Sequence, residues 1–209
     1  MDVFVQSRQE YLDLVKAAIL LPVRHTDLQL SRLSIITFNF DRSFEWRLFE
    51  AIRGRYGVAP GLASALCEHV PVLHAHGMMG APSWRANVRD GLDYGANLTA
   101  GDLRRRKDNI KIVHRGDPDL LRNDIRRRLQ ECGRTYFLGF GYHPLNLEKL
   151  GVPTVLNHPA WGTGFRLPDG EREQVKARFR TEQGEQRIYV DPNNIVNLLR
   201  MRINELDDE

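Results

Sequence analysis

Three short segments of the chain collect residue types suited to nucleotide chemistry. TFNFD carries Thr37, Asn39 and Asp41 at alternate positions, HAHG carries His74, His76 and Gly77, and GFGYHPLN carries Gly139, Gly141 and Tyr142 with His143 and Asn146 just beyond. An amide can hold a ribose hydroxyl or orient a water, an imidazole can take a proton from either, and a glycine turn lets backbone N–H groups approach a phosphate. Each also has a plainer reading. Asn39 and Asp41 are good helix caps, and Asp41 directly precedes helical sequence. His74 lies on an apolar run, where a histidine is more often a satisfied core residue. His76 is better placed for chemistry because glycine follows it, whereas Gly139 and Gly141 would also serve close packing at a strand end.

The remaining polar groups point to less. The seven histidines have no carboxylate or thiolate partners at ligand spacing; His143 and His158 each precede proline in loops, and no metal is expected. The basic runs RRRK (104–107) and RRR (126–128) have no interleaved aromatics to stack bases, which argues against nucleic acid as a partner. In the second run Asp124 can pair with Arg128 at i, i+4 on a solvated helix face.

These residues need a scaffold, and the apolar periodicity supplies one. Phe4, Tyr11, Leu12, Val15, Ala18 and Ile19 fall on one face of a helix over 3–21, ended by Pro22. SIITF (34–38) reads as a buried strand, followed by a helix that turns Phe44, Leu48, Phe49 and Ile52 inward before Gly54 and Gly57. A helical ASALCEH leads to a strand in PVLHAH (71–76). Residues 81–110 form a polar excursion with a short helix after Thr99. KIVH (111–114) reads as a strand, and the next helix carries Leu121, Ile125 and Leu129 on one stripe, with Asp117 or Asp119 as its cap. TYFLGFG (135–141), PTVLNH (153–158) and RIYV (187–190) supply three more strands, with a charged helix over about 168–182. A last helix is expected to begin at Asp191 with Pro192 in its first turn and to pack Ile195, Leu198, Leu199 and Ile203. Strands alternating with helices predict an α/β fold with a Rossmann-like open parallel sheet and helices on both faces, in one domain over 1–209. In such a sheet ligands gather at the carboxyl ends of the strands, where the three segments fall.

Composition fits this scaffold. The 209 residues are 42% hydrophobic, enough for one sizeable core, and 30 basic residues against 27 acidic ones leave a formal charge of +3, too weak a field to imply a polyanionic partner. Cys67 and Cys132 are too few for a disulfide framework. The opening segment is polar and no apolar run approaches the roughly 18 residues of a membrane span, so a cytoplasmic location is expected.

In this order the three segments resemble the sirtuin-like, NAD-consuming family, in particular its bacterial branch associated with NAD hydrolysis and antiphage defence. TFNFD is similar to the family's Thr-x-Asn-Tyr/Ile-Asp motif, His76-Gly77 to its His-Gly, and GFGYHPLN to its later glycine turn. The resemblance runs over most of residues 1–158. It implies that NAD is a substrate cleaved at its N-glycosidic bond to release nicotinamide. Asn39 would bind the nicotinamide ribose or orient the attacking water, and His76 would act as general base. Asp41 would support the loop, Thr37, Gly77 and Tyr142 would contribute to the nucleotide site, and Gly139 and Gly141 would line the adenosine side.

Two departures accompany the resemblance. Only Cys132 lies where the deacetylases of this family carry two Cys-x-x-Cys pairs, so the zinc module is missing and peptide deacylation is not expected. No G-x-G precedes residue 139, so the phosphate-receiving turn is absent and the fold is expected to be incomplete at its N-terminus. The alternative expectation is therefore a catalytically inactive scaffold that binds an ADP-ribose-like ligand or docks on a second copy or a partner protein.

Overall fold

A computed structural model describes Thr26 and residues 33–78, 80–85, 91–107 and 119–202. The helix expected over 3–21, the strand expected at 111–114, the Asp117 cap and Ile203 lie outside the described residues. The chain divides into two compact units, one holding the described residues up to Lys107 and the other those from Asp119 onward. Both are α/β, with parallel strands.

In the first unit β1 (Ile35–Thr37) pairs in parallel with β2 (Val72–His74), with Thr37 opposite His74. Between them run α1 (Ser43–Tyr56) and α2 (Pro60–Glu68). Phe44, Leu48, Phe49 and Ile52 lie one helical turn apart on α1 and pack with Ala63, Cys67 and Val70 into the core of the unit, as the spacing predicts. Gly54 does not break α1; the helix ends at Gly57, whose φ of 62° lets its N–H reach the Arg53 carbonyl at 2.9 Å. Pro60 occupies the first turn of α2, where its missing N–H costs nothing.

The polar excursion is tied to this core. Trp84 stacks on Phe49 with ring centroids 4.5 Å apart, and the Ser64 hydroxyl donates to the Trp84 carbonyl at 2.8 Å. Its short helix, α3 (Ala100–Arg106), starts after Thr99 as expected, closed by a capping box with Asp102.

The second unit is a three-stranded parallel sheet in the order β3 (Thr135–Phe137), β4 (Ala160–Thr163), β5 (Ile188–Asp191). Its helices are α4 (Asp119–Glu131), α5 (Pro144–Leu150), α6 (Asp169–Arg178) and α7 (Ile195–Arg202). Two expectations are corrected. The strand foreseen in PTVLNH falls instead on AWGT, because Val155 and Leu156 are buried from within a turn rather than by sheet pairing. The last helix does not begin at Asp191, which ends β5; the Asp191 carboxylate accepts the Asn193 N–H at 2.7 Å, and Asn194 caps α7 through the Asn197 N–H at 3.0 Å. Across the sheet Tyr136, Trp161 and Tyr189 stand in register as a ring ladder, with centroids 5.4 and 6.2 Å apart.

Candidate functional site

Because β1 and β2 are adjacent and parallel, TFNFD and HAHG leave the sheet at the same edge. The ladder runs one step past both strands, through the Ala75 N–H to the Thr37 carbonyl at 2.8 Å. Beyond it the Phe38 and His76 rings meet edge to face, centroids 5.1 Å apart. Gly77 closes a tight turn, its N–H bonded to the His74 carbonyl at 2.9 Å and its φ of 75° in the left-handed region that glycine enters without strain. Thr37, Asn39 and His76 are all partly buried, at the rim of the strands rather than in the core.

Asn39 is fixed through its backbone. Its N–H donates to the Thr37 hydroxyl at 3.1 Å, and its carbonyl accepts from His74 Nδ1 at 2.8 Å. His74, 3% exposed, reaches on its other side the Glu45 carboxylate of α1, with Nε2 2.8 Å from Oε1. Burial opposes a charge on His74, but the Glu45 carboxylate, helped by the Asn39 carbonyl and Asp41, outweighs it, and the imidazole titrates above its ordinary value. The reading of His74 as a satisfied buried residue is what the contacts describe. Asp41 is exposed, and its carboxylate accepts the Ser43 N–H at 2.9 Å in a side-chain turn just ahead of α1, whose cap position is Arg42 rather than Asp41. Glu45 also borders a narrow cleft with Cys67, Val72, Trp84 and Arg85; Asn39 and His76 are not among its lining residues.

The third segment belongs to the second unit. Tyr142 is 1% exposed, with a φ of 50°, and its hydroxyl donates to the Thr163 carbonyl at 3.1 Å. Its ring packs against Phe137 and Phe179, and burial raises its phenol well above the usual value. Tyr142 therefore shapes the turn from within. The Thr163 hydroxyl holds the other side, accepting the Gly139 N–H at 2.7 Å. Gly139 and Gly141 themselves are exposed, and Gly139 has a φ of 58°. Gly162 of β4 lies under Tyr142, where a Cβ would collide with the phenol oxygen, so the close approach requires glycine.

Two contributors do not stand out in the sequence. Glu45 shares the inward stripe of Leu48, Phe49 and Ile52 at i, i+3, i+4 and i+7, which is the signal that could have found it. Thr163 carries none, since its contact with Gly139 spans 24 residues.

Elsewhere, the arginine runs are largely accounted for by pairing and burial. Arg127 pairs with Asp124 and Glu131, Arg128 with Asp124 at 3.3 Å, and Arg106 is buried. Among the described residues, no group of three or more histidine, cysteine or carboxylate side chains is placed to hold a metal ion, and no helix is long and apolar enough to cross a membrane. Comparison of the chain with protein-family models, with curated proteins and with solved structures produced no match.

Proposed function

We propose that the chain is a Rossmann-like, sirtuin-like domain that binds NAD or an ADP-ribose-like ligand at the β1–β2 edge and belongs to an enzyme cleaving the nicotinamide N-glycosidic bond, in the manner of defence-associated NAD hydrolases. The observation that carries the reading is the parallel β1–β2 pair, which brings the Asn39 and His76 segments to one strand end. Helical connections between paired parallel strands in both units support the Rossmann-like part.

In the proposed reaction Asn39 holds the nicotinamide ribose or the attacking water. The water oxygen bonds to the ribose C1′ and its proton passes to a neutral His76. The C1′–N bond breaks with its electron pair returning to the pyridine ring, so nicotinamide leaves neutral and ADP-ribose remains. Removing a positioned general base costs about a hundredfold or more in rate. Nicotinamide release is therefore expected to fall by at least that factor in His76→Ala, and undiminished release would remove His76 from the mechanism. Calorimetric titration of NAD and ADP-ribose tests the binding step alone: micromolar binding without turnover would favour the inactive scaffold, and no binding at all would overturn the nucleotide reading.

A further inference from the structure

We propose that His74 is a positioning residue for the Asn39 loop, acting as a doubly protonated imidazolium clamped by Glu45. Its functional weight rests on the proposed role of Asn39, but the clamp itself is a matter of where hydrogens sit. His74 Nδ1 faces the Asn39 carbonyl and Nε2 faces the Glu45 carboxylate, both at 2.8 Å. A carbonyl only accepts, so Nδ1 carries a hydrogen; an ionised carboxylate only accepts, so Nε2 carries one as well. A neutral imidazole has a single N–H and can serve only one of the two. The second N–H is therefore the proton that this geometry adds to a neutral ring.

The surroundings make that proton matter. The His74 and Glu45 side chains are 1% and 11% exposed, and Glu45 Oε2 has no hydrogen-bond partner among the described residues. Loss of that proton would leave a ring lone pair facing either the buried carboxylate or the Asn39 carbonyl, which the site relieves only by moving. The charged groups nearby are Asp41, which favours the imidazolium, and Arg42, which competes for Glu45. Arg85 borders the same cleft as Glu45, Cys67 stays an uncharged thiol, its pKa pushed up to about 12 by burial, and His76 follows in the same turn. What moves with the pair is Asn39, whose N–H and carbonyl are held by Thr37 and His74 respectively.

The test is a pH titration of the isotopically labelled full chain by NMR from about pH 5 to about pH 9. Both His74 ring nitrogens should be protonated at the acid end, and the Asn39 carbonyl carbon should shift with the same midpoint as the ring. Glu45→Gln should remove the coupled shift while keeping the fold, because a glutamine amide can donate to the bare Nε2 of a neutral ring. An Asn39 carbonyl that ignores the His74 transition, or a ring found neutral throughout, overturns the proposal, and the wild-type titration decides this even if the variant fails to fold. Saturating NAD provides a separate arm. A tenfold weaker affinity above the transition must appear, by linkage, as about one unit's rise in the His74 midpoint when NAD is bound. Absence of NAD binding at every pH refutes the NAD reading alone, and the carbonyl shift then still decides whether His74 positions the loop.

Discussion

Replacing Gly162 by alanine isolates the packing that shapes the Gly139–Gly141 turn. An alanine Cβ would collide with the Tyr142 hydroxyl oxygen and come within 3.1 Å of both Tyr142 Cζ and Ile188 Cδ1. Neither neighbour can yield cheaply, since Tyr142 and Ile188 are 1% and 0% exposed. Overpacking of this kind costs about 1–3 kcal/mol. Tyr142→Phe alone forfeits one hydrogen bond to the Thr163 carbonyl, about 1 kcal/mol. In the double variant the colliding oxygen is gone, so the combined loss should fall short of the sum by on the order of 1 kcal/mol. Urea denaturation followed by circular dichroism, with all four proteins in one buffer, gives the coupling from midpoint shifts at constant slope. Strictly additive losses would refute the close approach, and with it the reason for glycine at position 162.

Further outcomes follow from the same contacts. Because the pKa of His74 is raised, its contribution to stability is fully present below about pH 6.5 and is lost as pH rises through the higher folded value; urea midpoints should fall over that window and lose the dependence in His74→Phe. Ile52→Ala, at a fully buried position of α1, should destabilise the first unit by about 2–5 kcal/mol, read as a drop in its denaturation midpoint. A thiol reagent at mildly alkaline pH should modify the partly exposed Cys132 rapidly and Cys67 only after denaturation, since Cys67 is 6% exposed and its pKa is pushed up to about 12; equal rates in the native protein would contradict that burial.

The elements legible in the sequence are those whose signals are local. The apolar stripe of α1, the left-handed glycine that ends it and the Thr99 cap are written within a turn or two of where they act. Strand ends are legible for the same reason: Ile35–Thr37, Val72–His74 and Thr135–Phe137 lie inside the apolar runs that predict them. PTVLNH misleads because burial of Val155 and Leu156 does not imply sheet pairing, while the true strand AWGT contains the small Ala160 and Gly162 that propensity disfavours, the glycine being demanded by the close approach of Tyr142. Asp191 misleads because its carboxylate turns the chain three residues before Asn194, which caps the helix. Of the candidate site, the Asn39 and His76 segments stand out, but the clamp that holds Asn39 does not. Glu45 and His74 are 29 residues apart, and only the folded chain shows that a charge on the inner stripe of α1 has a buried partner.

The ring ladder of the second unit also has a practical consequence. Trp161 sits between two tyrosines there, whereas the other two tryptophans, Trp46 and Trp84, belong to the first unit, Trp46 stacked on Tyr94. Conservative replacement of Trp46 and Trp84 would leave one indole emitter in the second unit, and replacement of Trp161 would leave two in the first. Each half would then carry its own optical probe, so loss of structure in one could be timed without a signal from the other.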